Sequence, residues 1–214
     1  MVSNEVNQYI EKLIPARSEH VLKMEQYAKQ HDVPIMELSG METLLTYVRL
    51  KKPARILEVG TAIGYSAIRM ALASEASEIV SIERDEERYN IAKENVNVLD
   101  LTNRITLLLG DANELQSQVE HYAPYDFMFI DAAKGQYQHF FDHYSTMLSK
   151  DGIIITDNVL FRGYVAEEKG LESRRLRSLV KKIRSFNEYI MQHPDYYSSI
   201  LPVGDGMMVS VRKS

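Results

Sequence analysis

No cysteine occurs in the 214 residues. Disulfide frameworks and thiolate metal centres are therefore excluded, and the chain suits a reducing compartment such as the cytoplasm, where we expect it to work. Nor is there a run of 18 apolar residues, so no membrane span is expected. The stretch Met1–Glu11 is polar and lacks the apolar core of a secretory signal, which argues against export. No internal repeat or low-complexity tract interrupts the chain. Positive charge is also short: Lys and Arg number 25 against 30 Asp and Glu, a net charge of −5. That balance argues against broad nonspecific nucleic-acid binding but leaves local patches open. What remains is ordinary globular material, 45% hydrophobic and 26% charged, long enough for one large domain over residues 1–214.

Residues 1–50 carry helical periodicity. Val6, Tyr9, Ile10 and Leu13 share one face, Val21, Met24 and Ala28 a second, and Met41, Leu44, Leu45 and Val48 a third. Pro34 ends the second helix. From Pro53 the pattern becomes strand–helix alternation. Strands are expected at Arg55–Val59, Glu78–Ile82, Arg104–Leu109, Asp126–Ile130 and Gly152–Thr156. Helices are expected between them at Tyr65–Ala73, Glu86–Leu99, Asn113–Tyr122 and Gln136–Leu148. This implies an α/β fold: a doubly wound, mostly parallel sheet with right-handed crossovers. A long helix near Ser173–Gln192 follows. Ser199–Val203 and Met207–Arg212, joined by Gly204-Asp205-Gly206, then read as a hairpin that adds an antiparallel C-terminal strand.

Chemistry concentrates where the strands end. Asp131 follows the apolar run Phe127–Ile130, and Asp157-Asn158 follows Ile153–Thr156. Three oxygen-bearing side chains on neighbouring strand tips make half a coordination sphere for a hard divalent cation. Each taken alone reads more simply as a helix cap or turn residue. After the first strand, Gly60 and Gly64 let backbone pass close to a ligand. Ala62 and Tyr65 stand where a dinucleotide fingerprint needs glycine, and a P-loop Gly-Lys-Ser/Thr is also missing. Glu83 ends the second strand, where a carboxylate can chelate a ribose diol, and Asp111, after Gly110, is suited to an adenine amino group. Glu58, at the end of the first strand, needs a cationic ligand group or backbone donors to offset its burial. A surface Glu83 and a helix-capping Asp111 are the plainer alternatives.

Together, E-V-G-T-A-I-G-Y-S (Glu58–Ser66), G-D-A (Gly110–Ala112), F-I-D-A-A-K (Phe129–Lys134) and T-D-N-V-L-F (Thr156–Phe161) resemble the cation-dependent O-methyltransferases of the caffeoyl-CoA and catechol type. The resemblance covers roughly residues 34–212. V-P-I-M-E, F-I-D-A-A-K-G-Q-Y, T-D-N-V-L-F-R-G and P-V-G-D-G resemble, more closely still, the bacterial tRNA 5-hydroxyuridine methyltransferases. The resemblance implies a seven-stranded Rossmann-like class I methyltransferase fold with helices on both faces, S-adenosylmethionine as donor, Mg²⁺ or another divalent cation, and a homodimer. Residues 53–214 would form the core, and the helices of residues 1–50 would cap the site and supply the dimer interface. Carried over by position, Met36, Glu58, Gly60, Ser66, Glu83, Asp111, Ala112 and Asp131 would line the donor site. Asp131, Asp157 and Asn158 would hold the cation, and Lys134 would serve as base or electrostatic partner. Ala132-Ala133 replaces the bulkier residues of catechol-type members, which suits a larger acceptor.

A tRNA acceptor also needs phosphate contacts. Between Arg174 and Arg184 the chain has six basic residues and no acid. Leu176, Leu179, Val180, Ile183 and Ile190 form the buried stripe of that helix, which leaves Arg174, Arg175, Arg177 and Lys181 for RNA. A solvated helix face is the commoner meaning of such a run. Arg162, within Phe161-Arg162-Gly163-Tyr164, is placed to brace an exposed base, unless that stretch is a lid. His139 and His143 have helical spacing but no third ligand nearby, so they are set aside as a metal pair. A small-molecule catechol acceptor, or a non-catalytic nucleotide- or RNA-binding protein, remains the alternative.

Overall fold

The computed structural model describes residues 4–166 and 173–213. Seven strands form one sheet: β1 (Arg55–Val59), β2 (Glu78–Glu83), β3 (Ile105–Leu109), β4 (Tyr125–Ile130), β5 (Leu148–Thr156), β6 (Tyr196–Leu201) and β7 (Met207–Arg212), in the order β3-β2-β1-β4-β5-β7-β6. β1 to β5 are parallel, and β7 runs against both of its neighbours. From β1 the order steps to β2 and β3 on one side and to β4 and β5 on the other. The crevice between β1 and β4 is therefore the topological switch point where ligands collect in such sheets.

The eight α-helices among the described residues are α1 (Asn4–Leu13), α2 (Glu19–Gln30), α3 (Leu38–Lys51), α4 (Tyr65–Ala73), α5 (Glu86–Val98), α6 (Gln116–Glu120), α7 (Tyr137–Tyr144) and α8 (Arg174–Met191). Side chains alternate across each strand. Phe127 and Phe129 join the core beneath α2, α3 and α4, whereas Met128 and Ile130 join the core shared with α7 and α8. Burial on both faces explains why these strands read as unbroken apolar runs.

Several boundaries differ from expectation. β5 begins at Leu148, so the preceding helix stops at Tyr144, with 3₁₀ turns at Lys134–Gln136 and Ser145–Met147. α6 keeps only Gln116–Glu120, because Asp111 first organises a turn by accepting from the Asn113 N–H at 2.9 Å. β6 runs Tyr196–Leu201 rather than Ser199–Val203. Leu201 pairs with Met207, and Pro202, which has no N–H to donate, starts the hairpin tip. The predicted apolar faces of α2 and α3 are buried, but that of α1 is not: Tyr9 is 64% and Leu13 65% exposed.

A polar network ties the N-terminal helices to α4. The Tyr65 hydroxyl donates to Glu25 at 2.9 Å and accepts from Arg69 at 2.9 Å. Arg69 also donates to Glu42, and Arg17 donates to Glu25 at 2.8 Å. Arg69 is buried, and removing it leaves the partly buried Glu42 with only the exposed Arg49, 3.7 Å away, while Glu25 keeps Arg17 and Tyr65. We expect Arg69→Ala to cost about 3 kcal/mol, since breaking a buried pair leaves an uncompensated charge. Urea denaturation checks this, and a cost below about 1 kcal/mol would mean the network behaves as exposed ion pairs.

Candidate active site

β1 ends at Val59, and the N–H groups of Gly60 and Thr61 both donate to the Ile82 carbonyl, at 3.0 and 3.1 Å. This folds the turn over the tip of β2 and brings Gly60 against β4. A Cβ on Gly60, whose φ is +106°, would lie 2.0 Å from the Asp131 carbonyl oxygen, so only glycine fits. Gly64, with φ +85°, then opens α4. Glu83 holds the turn from the other side, accepting from the N–H of Ala62 at 2.7 Å and of Asp85 at 2.9 Å. The backbone donors expected around Glu58 are thus found on Glu83.

A cavity of about 400 Å³ opens above these tips. Met36, Gly60, Glu83, Asp111, Ala112, Asp131, Lys134, Asp157, Asn158 and Arg162 all line it. Glu58 and Ser66 stand behind the wall: Ser66 and Ser81 each donate a hydroxyl to the Glu58 carboxylate, which is fully buried. Two hydroxyls, not a cationic group, are the partners supplied to Glu58. Burial pushes its pKa up to about 7, with Asp131 and Glu83 adding to the rise and the two serines opposing it. Asp111 caps no helix: it accepts from the Asn113 N–H and side-chain amide in a turn, and α6 starts later, with Leu115 as its N-cap. Arg174, Arg175, Arg177 and Lys181 lie on the outer face of α8, away from the cavity wall. His139 and His143 stack with ring centres 5.5 Å apart.

Sequence reasoning overlooked several wall residues. Glu37 and Gly40, at the start of α3, face the cavity, as do Arg84 and Arg88 beyond β2. Gly204 and Asp205 reach it from the hairpin tip. Arg84 directly follows the strand-end Glu83, and Asp205 sits in a motif already noted, so both carried a readable signal.

The ends of β4 and β5 extend the parallel ladder by one residue each: Asp131 N–H donates to Val59 O at 2.9 Å, and Asp157 N–H to Ile130 O at 3.0 Å. Their carboxylates converge on the Asn158 side-chain amide, which donates to both at 3.0 Å. Burial raises the pKa of both acids. That of Asp157 reaches about 8, pushed further by Asp131 and Asp205 and opposed by Asn158 and Lys134. The nearby Tyr137 hydroxyl is buried and has no hydrogen-bond partner among the described residues. A buried carboxylate, a half-buried one converging with it, an amide and an orphaned hydroxyl fit a hard cation. Among the described residues no three His, Cys, Asp or Glu side chains gather as a metal site, so the amide oxygen of Asn158 would complete the set. Lys134 stands beside it, its ammonium 5.9 Å from the centre of the Phe161 ring.

A switch-point cavity floored by a glycine turn, with acidic strand tips around it, defines the ligand site of a Rossmann-like fold. The family model described as O-methyltransferase matches residues 14–213, and the chain belongs to that family. A caffeoyl-CoA O-methyltransferase of Stellaria longipes is 27% identical, covering 96% of this chain and 89% of the relative. A catechol O-methyltransferase of Niastella koreensis is 29% identical, covering 97% and 96%. Among solved structures, a Staphylococcus aureus protein provisionally assigned as a caffeoyl-CoA O-methyltransferase superposes with TM-score 0.93 at 32% identity, covering 98% of this chain and 100% of that one. A Bacillus cereus O-methyltransferase in complex with SAH superposes with TM-score 0.84 at 27% identity, covering 98% and 97%.

The Glu58 pKa predicts a pH signature. With its pKa raised from 4.5 to about 7, the folded chain holds a proton that the unfolded chain has released. This contribution to stability is complete below about pH 4.5 and is lost as pH rises through about 7. Wild type should therefore lose about 3 kcal/mol relative to Glu58→Gln between about pH 4 and pH 8, measured by chemical denaturation. A stability difference that does not change with pH would refute this.

Proposed function

We propose that the protein methylates 5-hydroxyuridine at the tRNA wobble position, with S-adenosylmethionine as donor and Mg²⁺ or a similar cation bound. The observation that carries the reading is the pair of carboxylates, half-buried Asp131 and buried Asp157, converging on Asn158 across one cavity from the Gly60 turn. In this reading Glu83 takes the ribose hydroxyls of the donor, Asp111 its adenine amino group, and Met36 and Ala112 its apolar faces. Asp131, Asp157 and Asn158 would hold the cation, which would supply Lewis acidity for activating an acceptor hydroxyl. The chain's own task is alignment. The acceptor oxygen attacks the methyl carbon, the bond from carbon to sulfur breaks, and the sulfur leaves as a neutral thioether. Lys134 takes the hydroxyl proton or, kept charged, stabilises the oxyanion.

The exposed basic face of α8 supports an RNA acceptor. Lys182, on the same helix, comes nearer the site: its Cδ and Nζ lie 3.6 Å from where a Cβ on Gly135, next to Lys134, would stand. The exposed apolar face of α1 supports a homodimer. A second reading, methylation of a small catechol or caffeoyl-CoA-like acceptor, is favoured by the names of the relatives.

Offering labelled methyl donor in parallel to unmodified tRNA, 5-hydroxyuridine-bearing tRNA and catechol decides between the readings. Label is expected in the 5-hydroxyuridine tRNA, and label entering catechol alone would favour the second reading. Asp157→Ala combined with Asn158→Ala should reduce transfer by at least about 10²-fold; retained transfer would rule out the cation. Reversing the charge at Arg174, Arg175 and Arg177 should weaken tRNA use and flatten its salt dependence while sparing a small acceptor. Equal losses for both acceptors would assign α8 to folding instead.

A further inference from the structure

The hairpin between β6 and β7 does more than turn the chain. Its tip lies between two walls of the cavity. On one side, a Cβ on Gly204 would come 3.7 Å from Glu37 Oε2 and 3.9 Å from Gly40 Cα, at the start of α3. On the other, the tip grips the loop after β5. Val159 N–H donates to Gly206 O at 2.9 Å, and Leu160 and Phe161 N–H donate to Asp205 O at 2.9 and 3.2 Å. The Arg162 N–H donates to the Asp205 carboxylate itself. The packing admits no side chain at Gly206, where a Cβ would lie 2.3 Å from Leu160 Cγ.

The gripped loop is one that would not hold its shape unaided. Asn158, Phe161 and Arg162 all have positive φ, at 62°, 45° and 55°, and a non-glycine residue persists there only when its surroundings over-determine it. Asn158 is the bridge between Asp131 and Asp157, and Phe161 presents its ring to Lys134. The loop's far end is braced separately, by Arg184 on the Val165 carbonyl at 2.6 Å, and α8 holds Val159 O through Asn187 at 2.8 Å. Among the described residues, only the hairpin reaches the left-handed pair Phe161-Arg162 with a side-chain acceptor.

We propose that Asp205 is a positioning residue: by accepting the Arg162 N–H it holds the loop that presents Asn158, Phe161 and Arg162 to the acceptor. It acts through that loop and leaves the donor side, at Gly60 and Glu83, untouched. The acceptor-binding consequence rests on the methyl-transfer reading above, but the loop-holding claim does not. The discriminating property is hydrogen-bond acceptance, because Asn retains a carbonyl oxygen at the same place and Ala retains nothing.

Hydrogen–deuterium exchange of the peptide spanning residues 157–164 tests the claim without any acceptor. Asp205→Ala should exchange at least about tenfold faster in that peptide, with peptides from β1 and β2 unchanged, and Asp205→Asn should match wild type. Isothermal titration with S-adenosylhomocysteine should give the same affinity for all three proteins. With the acceptor that the labelling assay identifies, Asp205→Ala should raise KM more than it lowers kcat, and Asp205→Asn should restore both. Unchanged exchange in Asp205→Ala, faster exchange throughout the chain, or an Asp205→Asn variant as loose as Asp205→Ala would each overturn the proposal. If no acceptor is found, exchange still decides it, so failure of the substrate reading and failure of this inference remain separable.

Discussion

Everything on the cavity floor depends on how closely β1 and β4 approach at their ends. The Asp131 carbonyl lies so near Gly60 that a Cβ would sit 2.0 Å from it. That contact puts the glycine turn and the first acidic strand tip on opposite sides of one crevice, a single residue beyond the paired Val59 and Ile130. Register propagates the constraint: Ile130 pairs with Thr156, so Asp157 emerges level with Asp131. A slip of one residue would turn these side chains to the opposite face. The sheet's pairing and the site's geometry are therefore one specification.

The site is bought with buried acid. Glu58, Glu83 and Asp157 are all nearly inaccessible, yet they are handled differently. Glu83 is satisfied by two backbone N–H groups, Glu58 by two hydroxyls, and Asp157 by one amide that it shares with Asp131. Glu58, closed off by its hydroxyl partners, stands behind the wall, whereas Glu83 and Asp157 line the cavity, where a ligand can add to the partners they already have. This division follows from the cost of desolvated charge and is what a binding site requires.

Much of this was legible beforehand. The strands β1 and β7 and the helix α4 fall at the expected residues, because an apolar run between turn residues leaves little freedom in where a buried strand or its following helix begins. The expected wall residues Gly60, Glu83, Asp111, Ala112, Asp131, Lys134, Asp157 and Asn158 all stand at or just beyond strand ends. What escaped was set by tertiary contact. Nothing in the spacing of Val6, Tyr9, Ile10 and Leu13 distinguishes a helix face that packs from one turned outward. Ser66 is a donor contact only by family resemblance, and its hydroxyl turns inward to Glu58, a choice made by the strand beneath it. Asp205 was seen only as part of a turn, because its partners lie some forty residues earlier in the chain and meet it through β7.

The place of β7 has a consequence for synthesis on the ribosome. β5 pairs on one edge with β4 and on the other with β7, which arrives only after α8 and β6 have been made. Until then Ile153, Ile154 and Ile155 form an uncovered, β-branched rim of a parallel sheet, the kind of border on which a stray strand from another chain can add. The nascent protein thus passes through an interval of stickiness that ends when β7 is inserted, and cellular holding factors would matter most in that interval.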